Sequence, residues 1–352
     1  MSSEKKVPKI GINGFGRIGR LVLRALLENE KENPDMACDI VAINDISSPD
    51  MLANLFEFDS IHGRFHGKVR VDHETNEFVF NEDRFKVLAE RDPEKLPWKE
   101  LGCDYVIEST GLFTKREAME KHLKAGAKRV ILSAPAKSKS DVDITVVRGV
   151  NNHELTKDHK LVSNASCTTN CLAPVLKVLD ESYGVEQAIM TTIHSYTNDQ
   201  RVLDSQHKDF RRSRAAMMSM IPTTTGAAKA IGLVMPHLAG KIDGMAVRVP
   251  TPNVSLVDLT ARVKTAVTKE QVEQAFRDAA DKPNDLGGII DYEWRSLVSI
   301  DFNHNKFSST VDFPSLMVVD KSLVKILSWY DNEWGYANRI AELVFDLWKL
   351  DK

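Results

Sequence analysis

The chain has 352 residues, 42% hydrophobic and 28% charged, enough to bury a substantial core without disulfides. Lys and Arg number 47 against 50 Asp and Glu, and the resulting net charge of −3 argues against dedicated nucleic-acid binding. No apolar run approaches the roughly 18 residues of a membrane-spanning helix. The N-terminus shows no apolar export signal, and the four cysteines have no framework spacing. We therefore expect a soluble cytoplasmic protein with no membrane partner.

Strands alternate with helices in the first half of the chain. An apolar strand at 9–13 leads through a glycine-rich turn into a stretch with helical spacing of its apolar residues, followed by a polar loop over 29–38. Such alternation predicts a parallel sheet covered by helices, with an antiparallel hairpin over 69–88 inserted into it. Further strands are predicted at 39–43, 105–107, 130–132, 144–147 and 161–163, and a helix at 115–124.

The second half is richer in strands. A helix is predicted to begin at Ser166–Cys167 and a terminal helix to cover 334–350. The arginine-rich segment 196–220 lacks periodicity, and long ordered loops of this kind usually serve a function. The strand patterns suit a sheet with one face covered by helices. They lie at 187–192, 242–249, 254–263, 316–319 and 323–329.

The turn after the first strand fits the dinucleotide-binding fingerprint, with glycines at Gly14, Gly16 and Gly19. The first permits a tight turn, the second lets the backbone approach a pyrophosphate, and the third lets helix and strand pack closely. Asp45, just past the second strand, is placed to accept hydrogen bonds from an adenosine ribose and to repel a 2′-phosphate, which favours NAD over NADP. The alternative is a structural turn with a surface aspartate.

Cys167 falls in the first turn of a predicted helix, where the dipole and unpaired N–H groups stabilise a thiolate and an oxyanion formed beside it. His194, at the end of a strand, is the candidate base, since a thiol nucleophile needs one, and its charged form would stabilise the thiolate. Cys171 is expected to be a buried inert thiol, and the spacing predicts no metal site. Taken singly, an inert thiol and a core histidine remain the alternatives.

Groups suited to anions accompany this pair. The hydroxyls of Ser166 and Thr168 flank the cysteine, and the segment 223–226 before a helix is a candidate phosphate nest. Arg248 lies within an apolar strand, where an unpaired guanidinium is costly, so an anionic partner is expected. The alternative for Arg248 and for Arg212 is a solvated surface position.

Together these motifs resemble phosphorylating glyceraldehyde-3-phosphate dehydrogenases. The resemblance implies an α/β fold: a Rossmann-type doubly wound parallel sheet plus an α+β catalytic domain with a large, mostly antiparallel sheet. It implies an NAD-binding domain over 1–166, completed by the C-terminal helix 333–352, and a catalytic domain over 167–332. The segment Ala165–Cys171 is the most specific of the motifs, which lie at 12–20, 108–111, 133–135, 165–171, 225–229, 248–251 and 329–336.

The resemblance also implies a homotetrameric glycolytic enzyme that converts glyceraldehyde 3-phosphate, NAD and inorganic phosphate to 1,3-bisphosphoglycerate through a thiohemiacetal and a thioester. It makes Cys167 the nucleophile and His194 its base. The cofactor contacts that it implies are Gly14, Gly16, Arg17, Ile18, Asp45, Arg91, Ser133 and Asn332. The substrate and phosphate contacts are Ser166, Thr168, Thr197, Arg212, Thr225, Gly226 and Arg248.

Other functions stay open at this point. An enzyme of the same fold could act on a longer phosphorylated aldehyde such as erythrose 4-phosphate. A non-catalytic NAD-binding adaptor or RNA-interaction module would need neither Cys167 nor His194, and the near-neutral charge argues against it. A thiol redox sensor is a third reading, because an activated cysteine is also sensitive to peroxide.

Overall fold

The computed structural model describes residues 6–283 and 285–352, and the chain divides into two compact units. The first unit runs up to Val146 and takes in Glu154–Ala165 and Ala337–Lys352, and the second comprises Val147–His153 and Ser166–Tyr336. The segment 1–5, on which the predicted absence of an export signal rests, lies outside the described residues. Within the described residues, every helix is too short or too polar to cross a bilayer.

Seven α-helices and nineteen strands lie within the described residues. The helices are α1 (Arg17–Glu32), α2 (Pro49–Glu57), α3 (Arg116–Lys124), α4 (Cys167–Tyr183), α5 (Ala227–Val234), α6 (Lys269–Ala280) and α7 (Trp334–Asp351). The strands are β1 (Lys9–Asn13), β2 (Asp39–Asn44), β3 (Phe58–Asp59), β4 (Gly63–Arg64), β5 (Val69–Asp72), β6 (Glu77–Phe80), β7 (Asp83–Leu88), β8 (Tyr105–Glu108), β9 (Arg129–Leu132), β10 (Ile144–Thr145), β11 (Leu161–Ser163), β12 (Val185–Ser195), β13 (Ile221–Thr224), β14 (Ile242–Val249), β15 (Ser255–Val263), β16 (Ile290–Glu293), β17 (Ser309–Asp312), β18 (Met317–Val319) and β19 (Leu323–Tyr330).

A nine-stranded sheet organises the first unit, in the order β10-β11-β9-β8-β1-β2-β7-β6-β5. All neighbours in the sheet from β10 across to β7 pair in parallel. The chain adds strands on one side of β1 with β2 and on the other side with β8, so the strand order reverses between β1 and β8. Ligands of open parallel sheets bind at the carboxyl ends of the strands beside such a reversal. The predicted Rossmann-type doubly wound sheet is confirmed, although β10 is two residues shorter than expected.

Helix α1 buries the apolar face that the sequence predicts, including Leu21, Val22 and Leu26. The loop predicted from residue 29 is partly wrong, because the helix continues to Glu32. It ends there because Asn33 precedes Pro34, and a residue before proline is forced out of helical geometry into the extended conformation observed.

The hairpin predicted over 69–88 is also wrong in detail. The segment forms three antiparallel strands, β5, β6 and β7, at the edge of the sheet, and β7 pairs in parallel with β2. Asn76 and Asn81 have φ angles of 54° and 56°, so each makes a turn in the left-handed region that asparagine tolerates. Two such turns divide the segment into three strands instead of two.

The second unit contains a mixed sheet in the order β13-β14-β12-β15-β19-β17-β16, with β18 on β19. Among the described strands of this second sheet, only β12 with β14 and β16 with β17 pair in parallel, so the predicted mostly antiparallel sheet is confirmed. Helix α4 packs on this sheet, which brings its N-terminus near the end of β12. The predicted loop over 196–220 is irregular except for one short 3-10 turn at Ala216–Met218 and an isolated bridge between Arg201 and Ala215.

Candidate active site

The glycine-rich turn between β1 and α1 has three glycines in three different situations. Gly14 has a φ of +91°, and a Cβ there would lie 2.6 Å from the backbone nitrogen of Thr110. A Cβ on Gly19 would lie 2.1 Å from the carbonyl oxygen of Gly14. A Cβ on Gly16 would meet no atom within 4 Å among the described residues. Two glycines are therefore required by the fold itself, whereas Gly16 leaves open space at the helix N-terminus, as a bound pyrophosphate would need.

The two helix-side glycines should respond differently to alanine. We expect Gly19→Ala to lower the free energy of unfolding by about 1–3 kcal/mol, because the helix must shift to relieve the clash. Gly16→Ala should leave it within about 0.5 kcal/mol and instead weaken NADH binding at least about tenfold, or about 1.4 kcal/mol. Urea unfolding and NADH fluorescence titration measure the two effects. Equal losses of stability in both variants would contradict this assignment.

A cavity of about 290 Å³ opens at the carboxyl ends of β1, β2 and β8. It lies beside the reversal of strand order, the usual place for a dinucleotide. Gly14, Gly16, Asp45 and Arg91 thus come together around one space. The lining residues are Asn13, Gly14, Gly16, Asn44, Asp45, Ile46, Glu90, Arg91, Ser109, Thr110, Leu112 and Phe113.

Asp45 is held rigidly at the edge of this cavity. One carboxylate oxygen, Oδ2, accepts a hydrogen bond from the backbone N–H of Phe15 at 2.8 Å, and Oδ1 accepts one from Ser47 at 2.9 Å. The buried ring of Phe15 stacks on Phe56, which anchors the glycine turn from below. The donor set and the open helix N-terminus therefore fit NAD: a carboxylate for a ribose and unpaired N–H groups for the pyrophosphate.

Removing the charge of Asp45 should relax the choice between coenzymes. We expect Asp45→Asn to shift the ratio of kcat/KM values toward NADP by about tenfold or more, because the carboxylate no longer repels a 2′-phosphate. Asp39→Asn, at the other end of the same strand, removes the same charge far from the cavity and serves as the control. An unchanged coenzyme ratio in Asp45→Asn would refute this role.

The other predicted cofactor residues occupy varied positions. Arg17 donates to the carboxylate of Asp59 at 2.6 Å, and Ile18 lies in the first turn of α1. Ser133 follows β9, and its backbone N–H donates a hydrogen bond to the carbonyl oxygen of Glu108 at 3.0 Å. Asn332 belongs to the second unit. There its Oδ1 accepts hydrogen bonds from the hydroxyls of two serines, Ser195 and Ser255.

A buried polar network beneath the cavity was not anticipated from the sequence. The carboxylate of Glu108 accepts from Asn13 Nδ2 at 2.6 Å and from the N–H of Thr110 at 2.9 Å, and lies 3.1 Å from Nε2 of His122. Trp98 donates its indole N–H to Nδ1 of His122 at 3.0 Å, so the histidine carries its proton on Nε2 and donates to Glu108. The network ties the ends of β1 and β8 together. The Glu108–Gly111 motif was its only signal.

Cys167 is the first residue of α4. Ala165, with a φ of +54°, turns the chain sharply between β11 and the helix. Ser166 then caps the helix, its hydroxyl accepting the N–H of Thr169 at 3.1 Å. The thiol is partly exposed, and its Sγ lies 3.5 Å from Nε2 of His194. The backbone N–H groups of Cys167 and Thr168 also face the sulfur. The structure therefore brings the predicted nucleophile and base together.

The sheet register places Arg248 next to the histidine. His194 on β12 pairs directly with Arg248 on β14. The guanidinium Nη1 lies 2.7 Å from Nδ1 of His194 and 3.0 Å from the carbonyl oxygen of Ser195. Among the described residues Arg248 forms no ion pair with a carboxylate, so the chain itself does not supply the anionic partner that the sequence predicts.

The structure contradicts the ionisation expected for this pair. Burial raises the pKa of the Cys167 thiol, and this outweighs the opposing effects of Arg248 and of the N–H groups at the helix N-terminus. Burial and the adjacent guanidinium together lower the pKa of His194 to about 3. Desolvation therefore leaves a thiol and a neutral imidazole, where the sequence predicts a thiolate stabilised by a charged histidine.

The depressed pKa of His194 makes a prediction about acid stability. In the unfolded chain His194 takes up a proton below about pH 6.5, whereas in the folded chain, with a pKa of about 3, it does so only near pH 3. Its contribution to the stability of the fold is therefore present above pH 6.5 and is lost as the pH falls toward 3. Between pH 8 and pH 5 this single group should lower the free energy of unfolding by about 2 kcal/mol. Urea unfolding at one protein concentration should show that loss in the wild type beyond any in His194→Asn. Parallel losses in both proteins would contradict it.

The predicted anion ligands are mostly occupied within the chain. The hydroxyl of Thr168 bonds Tyr330 at 2.9 Å, and Arg212 donates to Asp199 at 2.5 Å. The hydroxyl of Thr225 accepts the N–H of Ala227 at 3.2 Å, and the exposed Gly226 precedes α5. Thr197 lies near the start of the irregular loop, and its backbone N–H donates a hydrogen bond to the side-chain oxygen of Gln200.

Two further buried residues, Tyr330 and Cys171, lie close to the thiol–imidazole pair. Tyr330 is buried beside His194, and its hydroxyl also forms a hydrogen bond with the hydroxyl of Thr192. The sequence points to Tyr330 only as part of the 329–336 motif. Cys171 lies one turn after Cys167 and is fully buried, with Sγ 3.6 Å from the hydroxyl of Ser309. Burial raises its pKa to about 12, as an inert thiol requires. Among the described residues no group of three His, Cys, Asp or Glu could hold a metal ion.

A doubly wound dinucleotide-binding sheet and a thiol–imidazole pair at a helix N-terminus define an NAD-dependent oxidoreductase. Comparison with known proteins agrees. Residues 8–116 match the family model for the glyceraldehyde 3-phosphate dehydrogenase NAD-binding domain, and residues 166–332 match the model for the C-terminal domain of the same family. The cofactor is NAD.

Curated relatives are similar over nearly the whole chain. The glyceraldehyde-3-phosphate dehydrogenase of Geobacillus stearothermophilus is 55% identical over 336 residues, 95% of this chain and 96% of the relative. Glyceraldehyde-3-phosphate dehydrogenase 1 of Bacillus subtilis (strain 168) is 54% identical with the same coverage. The Xanthobacter flavus protein of that name is 53% identical over 342 residues, 97% and 99% of the two chains. The chain belongs to the glyceraldehyde-3-phosphate dehydrogenase family.

Proposed function

We propose that this chain oxidises and phosphorylates glyceraldehyde 3-phosphate to 1,3-bisphosphoglycerate in glycolysis and gluconeogenesis, with Cys167 as nucleophile and His194 as base. The observation that carries this proposal is the thiol at the start of α4, 3.5 Å from Nε2 of His194. Family membership supplies the substrate class and NAD as the oxidant.

The first step uses the helix N-terminus and the imidazole. The sulfur of Cys167 attacks the aldehyde carbon, His194 takes the thiol proton and passes it to the new oxygen, and a neutral thiohemiacetal forms. The N–H groups of Cys167 and Thr168, which already face the sulfur, are placed to donate to the oxygen that gains charge. Because the thiol is not ionised beforehand, proton removal by His194 is part of this step.

Oxidation and release complete the cycle. NAD, when bound, would supply the hydride acceptor. His194 takes the hydroxyl proton of the thiohemiacetal, and a thioester remains on Cys167. Gly14, Gly16, Arg17, Ile18, Asp45, Arg91, Ser133 and Asn332 would hold the cofactor. An oxygen of inorganic phosphate then attacks the thioester carbon, the C–S bond breaks, and the leaving sulfur takes back the proton held by His194 as the acyl phosphate is released.

Two anion sites are needed, one for the phosphate of the substrate and one for the attacking phosphate. We assign them to Ser166, Thr168, Thr197, Arg212, Thr225, Gly226 and Arg248. Arg248 supports this assignment because its charge lies inside the site without a carboxylate partner among the described residues. The open space at Gly226, before the N-terminus of α5, supports it as well.

Phosphate dependence tests the proposal. Glyceraldehyde 3-phosphate and NAD should give continuous NADH formation with inorganic phosphate present. Without phosphate a single burst of NADH should be followed by slow turnover, because the thioester then waits for water. Equal turnover with and without phosphate would exclude the phosphorylating reaction, and no NADH at all would favour an adaptor. A higher kcat/KM with erythrose 4-phosphate would make the longer aldehyde the substrate.

We also propose that the NAD-binding domain covers 1–166 and is completed by 333–352, and that the catalytic domain covers 167–332. We further propose that the protein is a homotetramer with a cytoplasmic location. The division of the chain into two compact units supports the limits. Large apolar side chains exposed on the second unit support assembly, as in Leu203, Phe210, Met218 and Ile189, which are 74%, 90%, 83% and 69% exposed. All four cysteines are free, in keeping with a reducing compartment. Light scattering at four times the mass of one chain would support the tetramer, and a monomeric mass would refute it.

A further inference from the structure

The side chain of Asn332 is held by two buried serines. Its Oδ1 accepts a hydrogen bond from the hydroxyl of Ser195 at 2.8 Å and another from the hydroxyl of Ser255 at 2.9 Å. The two serines are 0% and 1% exposed. They lie at the end of β12 and the start of β15, and Asn332 follows β19, so three segments of the second unit meet at one amide. Both lone pairs of its oxygen are used.

The hydroxyl hydrogens of the serines favour one orientation of this amide. The backbone N–H of Ser195 donates to the hydroxyl oxygen of Ser255 at 3.1 Å, so the hydrogen of that hydroxyl must find an acceptor elsewhere, and Oδ1 of Asn332 is the acceptor. If the amide were turned over, its NH₂ group would face both hydroxyls, and their hydrogens would lose the acceptor that they share. The oxygen of Asn332 therefore faces the serines.

The NH₂ group of Asn332 is the end that stays free. Among the described residues Nδ2 has no hydrogen-bond partner, and it is not one of the fully buried side-chain atoms that lack one, so it remains accessible. The main chain beside it is fixed as well. The carboxylate of Asp331 accepts the N–H of Trp334 at 2.7 Å and the side-chain amide of Asn253 at 2.8 Å. Residue 332 thus offers a hydrogen-bond donor that is held in place.

The position of this donor indicates which part of the cofactor it suits. Asn332 is bonded to Ser195, which directly follows His194 at the end of β12. In the proposed reaction the hydride leaves a carbon bonded to Cys167, so the nicotinamide ring is the part of NAD that must come near this end of the strand. That ring carries a carboxamide, whose carbonyl oxygen accepts hydrogen bonds. A donor held in place loses little rotational freedom when it binds such an oxygen.

We propose that Ser195 and Ser255 are positioning residues for the cofactor, which fix the amide of Asn332 so that its NH₂ group donates to the carbonyl oxygen of the nicotinamide carboxamide. The two hydroxyls act only through Asn332. Without them the amide is free to turn over and to present its oxygen to that carbonyl, an arrangement that repels the cofactor. This inference rests on the proposed role of Asn332 as a cofactor contact.

Two substitutions of Asn332 test the orientation of the amide. The probe is NADH, whose nicotinamide ring is neutral, and the measurement is fluorescence titration without substrate. Asn332→Ala should raise the Kd about tenfold, which corresponds to one lost hydrogen bond. Asn332→Asp has nearly the shape of the wild type and should raise the Kd at least about threefold more, because a carboxylate oxygen then faces the carbonyl oxygen. If the amide oxygen faced the cofactor instead, Asn332→Asp would bind NADH more tightly than Asn332→Ala.

A double-mutant cycle tests the serines. Ser255→Ala and Ser195→Ala should each raise the Kd for NADH about threefold in the wild-type background. In the Asn332→Ala background neither should change it by more than about 1.5-fold, since the hydroxyls no longer have an amide to position. A serine that served only the fold would weaken binding by the same factor in both backgrounds.

Ser309→Ala is the matched control. Ser309 is also 0% exposed in the same sheet, and its hydroxyl bonds that of Ser328 at 2.6 Å. This variant should lower the midpoint of urea unfolding as Ser255→Ala does, yet keep the Kd for NADH within about twofold. If Ser255→Ala does not fold, Ser255→Cys, with a weaker donor of similar size, takes its place in the cycle.

Two results would overturn the inference. One is NADH binding by Asn332→Asp that equals or exceeds that of Asn332→Ala, and the other is an equal effect of the serine substitutions with and without the amide. All of these measurements are made without glyceraldehyde 3-phosphate or phosphate. Phosphate-dependent NADH formation can therefore succeed while this inference fails, and the reverse.

Discussion

Replacing Cys167 by serine is expected to lower NADH formation by at least about 10⁴-fold, while the affinity for NAD stays within about twofold. A serine hydroxyl 3.5 Å from a neutral imidazole is a far weaker nucleophile than a thiol, and an ester would replace the thioester that phosphate must attack. The glycine turn, the cavity and Asp45 all lie in the first unit and are untouched. Steady-state kinetics and NADH fluorescence titration measure the two quantities.

Cys171→Ser is the matched control for this experiment. It makes the same change one helical turn later, where the sulfur already faces the hydroxyl of Ser309 and the carbonyl of Ser328. A serine there keeps polar partners, so turnover should stay within about threefold of the wild type, because the residue touches no reacting atom. Retained turnover in Cys167→Ser would be incompatible with covalent catalysis at that residue. A larger loss of turnover in Cys171→Ser than in Cys167→Ser would mean that Cys171, and not Cys167, is the nucleophile.

His194→Asn is expected to lower kcat by about 10²–10⁴-fold, the usual contribution of a general base. The effect should be large because the thiol of Cys167 is not ionised in advance and needs the imidazole to remove its proton. In the proposed mechanism the same imidazole acts again when the thiohemiacetal loses its hydroxyl proton. Burst kinetics should show that the first NADH is slowed, which places the loss before phosphate attack.

Two controls separate loss of the base from loss of the fold. The variant should bind NADH normally and unfold at pH 8 within about 1 kcal/mol of the wild type. Imidazole added to the solution should restore part of the activity, since a small base can enter the partly exposed site at Cys167. A kcat within about threefold of the wild type would mean that another group, or water, removes these protons.

Local features were predictable because their physical causes are local. The fingerprint Gly14–Gly16–Gly19, the start of a helix at Cys167 and the terminal helix from Trp334 depend on spacing and capping within a few residues. The three-stranded edge over 69–88 was missed because its second turn, at Asn81, resembles a continuing polar position in an alternating strand.

The ionisation of the site could not be read from residue order. A cysteine at a helix N-terminus predicts a thiolate, and the dipole and N–H groups do act in that direction. Burial acts against them and is stronger, and it likewise removes the charge expected on His194. How deeply a side chain is buried depends on every element packed around it, and no short window of sequence contains that information.

Periodicity and short motifs are enough to predict the doubly wound sheet, the dinucleotide turn, the cysteine at its helix start and the family resemblance. Which distant side chains meet depends on how the strands pair in the folded chain. His194 and Arg248 are 54 residues apart and touch because β12 and β14 pair in one particular register. Glu108, His122 and Trp98 meet because three segments converge beneath one cavity. Strand register and burial are properties of the whole fold, and they set the proton positions on which the chemistry depends.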